Sequence, residues 1–136
     1  MSTVAHRVSE AMVTCPFIHD PWTTVGQLRM FFEDDHVHLA LLVDAETLIG
    51  TVERLDLPHE LDDRMPARAI AGLDGRTIRP ERPVTDALAV MRRSGRRRLA
   101  VTTEDWRLLG LLCLKASGLG FCSDAGVRSR AHTEPG

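Results

Sequence analysis

Arg92, Arg93, Arg96, Arg97 and Arg98 crowd into one short stretch, the strongest concentration of charge in the chain. A guanidinium offers a planar fork of donors that matches a phosphate or carboxylate face. The cluster is therefore the natural seat for a small anion or a nucleotide tail. Arg92 and Arg93 have a plainer role as well, because cations at the end of a helix complement its macrodipole. His36 and His38 stand two apart at the entry to an apolar run, so a regular strand turns both to one face. Such a pair can ligate zinc or titrate near neutrality. No third ligand lies nearby in sequence, which favours exposed or partly packed histidines and no metal site.

The remaining reactive groups point away from catalysis. Cys113 sits in an apolar run and reads as a small buried hydrophobe. Cys15 precedes Pro16 with no general base beside it. The sequence contains no Ser-His-Asp pattern, HExxH, phosphate loop or GxGxxG. The expectation is a protein that is not an enzyme and carries no cofactor.

Composition narrows the class further. The 136 residues carry a formal net charge of −2, which argues against a general nucleic-acid binder that neutralises many phosphates. The cysteines, Cys15, Cys113 and Cys122, are odd in number and form no CxxC pair. That suits reduced thiols and a cytoplasmic location better than a disulfide scaffold. No apolar run is long enough for a signal peptide or a membrane span.

The elements that must position these groups occur twice. Phe17-Ile18-His19-Asp20-Pro21-Trp22-Thr23-Thr24-Val25 overlies Arg76-Thr77-Ile78-Arg79-Pro80-Glu81-Arg82-Pro83-Val84. Each reads as a short strand, a proline turn and a helix start, with Thr24 and Thr85 as caps. Val25, Leu28, Phe31 and Phe32 form one apolar helix face, and Val84, Ala87, Leu88 and Met91 form the other. Two apolar strands follow, Leu39–Val43 and Leu99–Val101, each leading through a polar turn to a second strand around Gly50 or Gly110. The second turn is one residue longer, near Trp106. A further helix is expected after each second strand, shortened by Pro58 in the first copy and weakened by Gly118 and Gly120 in the second. The fold class is α/β, of α+β type: two pseudo-symmetric β-α-β-β-α motifs packed sheet to sheet. The predicted division is 1–62 for the first motif, 63–122 for the second, with the linker at Asp62–Pro66, and 123–136 as a flexible tail.

This arrangement resembles a tandem pair of cystathionine-β-synthase (CBS) domains, a Bateman module. The resemblance rests on the lead-in Val8-Ser9-Glu10-Ala11-Met12, on Gly95-Arg96-Arg97-Arg98-Leu99-Ala100-Val101, and on Gly50-Thr51-Val52-Glu53-Arg54-Leu55-Asp56. It implies a stand-alone regulatory module that senses an adenosine-containing ligand, AMP, ATP or S-adenosylmethionine, and modulates a partner. The alternative is a ligand-free structural or dimerisation module. It also implies a homodimer acting on an unknown regulated protein, with neither nucleic acid nor membrane as partner. The resemblance puts Asp56 where a carboxylate accepts both ribose hydroxyls, and Glu53 where a threonine would meet phosphate. Thr51, Arg54, Ile18, His38, Arg97, Arg98 and Cys113 complete the implied binding set. Glu53 departs from the family pattern and should repel phosphate, favouring a neutral or cationic ligand tail. In the second copy Cys113 and Ala116 replace the threonine and aspartate, so the ribose contact is missing there.

Overall fold

The structure, a computed structural model, describes residues 6–115 and 120–122. Its helices and strands, in chain order, are α1 (Val8–Ala11), α2 (Val25–Phe31), β1 (Ala40–Asp44), β2 (Thr47–Val52), β3 (Thr77–Ile78), α3 (Val84–Ser94), β4 (Arg98–Thr102) and β5 (Leu108–Cys113). Single 3-10 turns occur at Arg54–Asp56 and Ala67–Ala69.

The two main helices begin differently. Thr24 caps α2, its hydroxyl accepting from the Gln27 amide at 3.2 Å while the Gln27 side chain accepts from the Thr24 amide at 2.9 Å. This reciprocal box satisfies two donors that lack helical partners. The equivalent cap of α3 is Pro83, with no side-chain bond. Thr85 is the second residue of the helix and not a cap, because the helix already starts at Val84 with Pro83 in the cap position. Gly95 ends α3 in the left-handed conformation, φ 74°, which glycine adopts without steric cost.

Each motif presents an antiparallel hairpin with a register shift at the same place, between Leu42 and Val43 in β1–β2 and between Val101 and Thr102 in β4–β5. A parallel neighbour joins each hairpin, His19 beside Leu42 and β3 beside β4. The turn near Trp106 is longer by one residue, as the pairs Val43↔Leu48 and Thr102↔Leu108 show. The turns meet through Leu48 N to Trp106 O at 2.7 Å and Leu108 N to Glu46 O at 2.9 Å.

The lead-in of each motif is exchanged onto the other. Val8 N donates to Arg82 O at 2.9 Å, and its mate Ala67 N donates to Thr23 O at 2.8 Å. Val84 N to His6 O and Val25 N to Met65 O, both 2.9 Å, form a second matched pair. Further on, Val13 pairs with Leu111 at the edge of β5, and Gly72 pairs with Thr51 at the edge of β2. Two interlocked copies about a pseudo-twofold axis account for all of these bonds together.

The cores follow from strand alternation. Ala40 and Leu42 face the α2 side with Leu28 and Phe32, while Leu99 and Val101 face the α3 side with Met91 and Ala87. Leu39, Leu41, Val43 and Leu48 turn the other way and meet Ala100, Leu108 and Leu111 between the sheets. Successive strand side chains point to opposite faces, so β1 and β4 are buried on both and read as continuous apolar runs. The helix expected after β2 is reduced to the turn at Arg54–Asp56, since the residue before Pro58 is barred from helical backbone. The corresponding segment after β5 falls largely outside the described residues.

Candidate functional site

The charged groups gather where β2 ends. Asp56 Oδ2 accepts from the Glu53 amide at 2.8 Å, closing the 3-10 turn. Arg76, just ahead of β3 in the other motif, grips the same carboxylate with both terminal nitrogens, at 2.6 Å and 3.0 Å. Arg76 also reaches Glu53 Oε1 at 3.1 Å. Arg96, after α3, holds the two oxygens of Glu53 at 2.8 Å and 3.2 Å. Two carboxylates from one motif and two guanidiniums from the other form a closed, partly buried quartet. Burial alone raises the Asp56 pKa, but the bonds from Arg76 and the Glu53 amide, with the charges of Arg76 and Arg96, hold it below the ordinary carboxylate value. The bond to Asp56 likewise raises Arg76.

Beside the quartet lies a cleft of about 350 Å³, whose wall includes Glu53, Leu55, Arg96, Arg97 and His38. A second cleft of about 330 Å³ includes Asp35, His36, His38, Arg97 and Lys115. The two are related by the internal repeat: His38 and Arg97 occupy equivalent places ahead of β1 and β4, and both line both clefts. Burial, then the charges of Arg98, Arg97, Arg54 and His36, push His38 down to about 4. Among the described residues no group of three or more His, Cys, Asp or Glu side chains is placed to hold a metal ion.

The residues singled out from the sequence divide into several groups. Glu53, His38 and Arg97 line the first cleft, and Asp56 adjoins it through the quartet. Arg54 reaches the rim, but its guanidinium donates to the carbonyls of Phe32, Asp34 and Val37 and lies over the Phe32 ring. Arg98 also borders both clefts, but it is largely buried and donates to the carbonyls of Arg97, Leu114 and His36. Thr51 is fully buried, its hydroxyl bonded to Gly72 O at 2.5 Å. Ile18 lies elsewhere, in a separate crevice of about 240 Å³ with Cys15, Val43 and Leu108. Cys113 is joined to Cys122 by a disulfide, which corrects the expectation of reduced thiols; among the three cysteines only Cys15 is free. The pair forms because the chain folds back over β5, with Leu114 bridged to Phe121 and Cys122 N bonded to Cys113 O at 2.7 Å. Ala116 lies outside the described residues. Glu53, expected to repel phosphate, is itself ion-paired with Arg76 and Arg96.

Arg76 escaped the sequence reading. Its signal is a mismatch between the repeats: an arginine stands where the first copy has Phe17.

Residues 74–116 match the family model for the CBS domain. The CBS pair domain of a protein from Shewanella oneidensis MR-1 superposes with a TM-score of 0.71 at 21% identity, covering 93% of this chain and 72% of that one. The chain has the fold of a CBS domain pair. The CBS pair/ACT domain protein of Thermotoga maritima gives 0.66 at 20% identity, over 79% of this chain and 89% of the other. The cytosolic domain of the Mg²⁺ channel MgtE, in complex with ATP, gives 0.65 at 18% identity. That likeness covers 80% of this chain but 46% of the MgtE chain. No curated protein sequence matches the chain. No helix among the described residues is long and apolar enough to cross a membrane.

Proposed function

We propose that this CBS pair is a regulatory module, not an enzyme, that takes an adenosine-containing ligand in the cleft beside Glu53 and passes the change to another protein. The observation that carries this reading is the meeting of groups from both motifs at one cleft. Glu53 comes from the end of β2, Arg96 and Arg97 from the segment before β4. A ligand seated there touches both halves and biases their relative position. The volume of about 350 Å³ falls within the range of small-molecule sites. MgtE, whose cytosolic domain has the same fold, is described in complex with ATP. The division at 62–63 and self-association of the module belong to the same reading. Exposed Phe17, Trp22 and Met30 support the latter, and sedimentation showing only monomer at micromolar concentration removes it.

A ligand-free structural module is the second reading. Asp56 favours it, because both its oxygens already accept from Arg76. Thermal shift and calorimetry with adenosine, AMP, ATP and S-adenosylmethionine separate the two. Saturable binding by any of them, weakened in Asp56→Ala, supports the sensor; no response to any supports the structural module.

A further inference from the structure

Away from the quartet, the one covalent cross-link among the described residues borders the second cleft. Cys122 forms part of that cleft's wall, together with Arg97, Lys115 and Asp35, while its partner Cys113 ends β5 and is 2% exposed. We propose that this disulfide is a thiol-exchange site, opened by a small dithiol that enters the second cleft, and that its oxidation state sets how firmly the wall of that cleft is held. No nucleoside ligand is needed for it. Access helps to decide which sulfur of a disulfide is attacked. Cys122 keeps 8% of its surface exposed and borders the cleft, so the incoming thiolate reaches Cys122 Sγ. Arg97 and Lys115 put positive charge on the approach, and Asp35 opposes them in part. Arg98 stands directly opposite Cys113 in the β4–β5 ladder. Their side chains share a face, and the leaving thiolate of Cys113 departs beside a guanidinium. Neighbouring cations stabilise a thiolate.

The exchange balances with the dithiol as the only reductant. One of its thiolates attacks Cys122 Sγ, the Sγ–Sγ bond breaks, and Cys113 leaves as a thiolate that takes a proton from water. The second thiol then displaces Cys122 and closes the reagent's own disulfide. Two electrons and two protons pass in total to the protein pair, and the dithiol is oxidised. In the oxidised protein the cross-link spans a sequence separation of 9 and pins the returning chain to the end of β5. Beside it lie the bonds from Cys122 N to Cys113 O at 2.7 Å and from Lys115 N to Gly120 O at 2.9 Å, and Phe121 packs against the α3 core. Reduction removes the covalent restraint and leaves the wall to these weaker contacts, so the segment opens more often.

Two measurements on the full chain test this, with Cys15→Ser removing the exposed free thiol. In the first, mass spectrometry follows attack by mercaptoacetate and by cysteamine, each rate divided by that of the same thiol on the chain unfolded in urea. The folded chain should favour the anionic thiol over the cationic one by about threefold or more, with the adduct on Cys122 and the newly freed thiol on Cys113. Lys115→Glu, at an exposed position, should abolish the preference. In the second, amide exchange at Lys115 and Cys122 should quicken by roughly tenfold or more once dithiothreitol has reduced the pair, with exchange in α2 unchanged. Adducts mainly on Cys113, equal normalised rates for the two thiols, or a preference unmoved in Lys115→Glu overturns the cleft as the route of entry. Unchanged exchange in a fully reduced chain overturns the hold of the bond on the wall. Either failure leaves the sensor reading in place.

Discussion

Glu53 and Arg96 meet across the boundary between the two repeats, Arg96 Nε lying 2.8 Å from Glu53 Oε2. The contact joins the end of β2 to the segment between α3 and β4, so it measures how firmly the motifs are held at the cleft. Both side chains keep some solvent exposure, Arg96 28% and Glu53 21%. Coupling between partly exposed charges is modest. A double-mutant cycle with Glu53→Gln and Arg96→Gln should return about 1 kcal/mol at low salt, and less as salt screens the pair. A coupling of zero at low salt would show that the bridge does not form in solution.

Arg54 acts on its own motif. Helix α2 ends without the glycine that ends α3, and the carbonyls of Phe32, Asp34 and Val37 receive the Arg54 guanidinium instead. Phe32 is the residue that caps α2 and Asp34 and Val37 lie in the loop beyond it, so one guanidinium ties the end of the helix to the approach to β1. Arg54→Ala should cost about 1–3 kcal/mol and speed amide exchange across 32–37, with α3 unaffected. Arg54→Lys should recover little, because a single ammonium cannot span three carbonyls. Unchanged exchange in that segment would assign the capping to other groups.

Arg54 and Arg76 show what the sequence could and could not reveal. The repeat, the apolar faces of α2 and α3 and the longer second turn were all legible, because periodicity and turn chemistry are local signals. The fate of the charges was not. Arg54 next to Glu53 suggested help with an anion, yet its reach across the motif to three carbonyls depends on where α2 stops. Arg76 lies distant in sequence from Asp56, and only the exchanged lead-ins bring it there. The disulfide was hidden for the same reason, since Cys122 meets Cys113 only when the chain turns back over β5.

The exchanged lead-ins explain the two strand glycines. A Cβ on Gly50 would lie 2.6 Å from the Ala71 Cβ, and one on Gly110 would lie 2.5 Å from Val13 O. These residues sit at equivalent places in β2 and β5, each pressed by the segment that crosses from the other motif. Gly50→Ala and Gly110→Ala should each destabilise by about 1–3 kcal/mol, the usual cost of overpacking. Gly72 has nothing within 4 Å of its own hypothetical Cβ, so Gly72→Ala should stay within about 0.5 kcal/mol of wild type. Denaturant melts of the three variants check the contrast. Equal stabilities would mean the crossing segments are not seated as described.

His38 gives the protein a dependence on pH through the boundary between its clefts. Burial, with Arg98, Arg97, Arg54 and His36 nearby, lowers its pKa from 6.5 to about 4. A histidine held neutral in the folded state binds its proton more readily when unfolded. Between pH 4 and 6.5 the unfolded chain therefore carries more protons, and stability must rise with pH across that window. Read downward, the stability is intact above about 6.5 and erodes as acid approaches 4. His19, also lowered by burial although Asp20 opposes the shift, adds to the slope. Asp56 acts lower down: its depressed pKa supplies stability above 3.8 that is lost in stronger acid. Melting curves of wild type and His38→Leu from pH 4 to 7 separate the contributions. His38→Leu should show a shallower rise that retains the part due to His19. Identical slopes would mean that His38 is free to take its proton in the folded state, and that the arginines beside it do not enclose it.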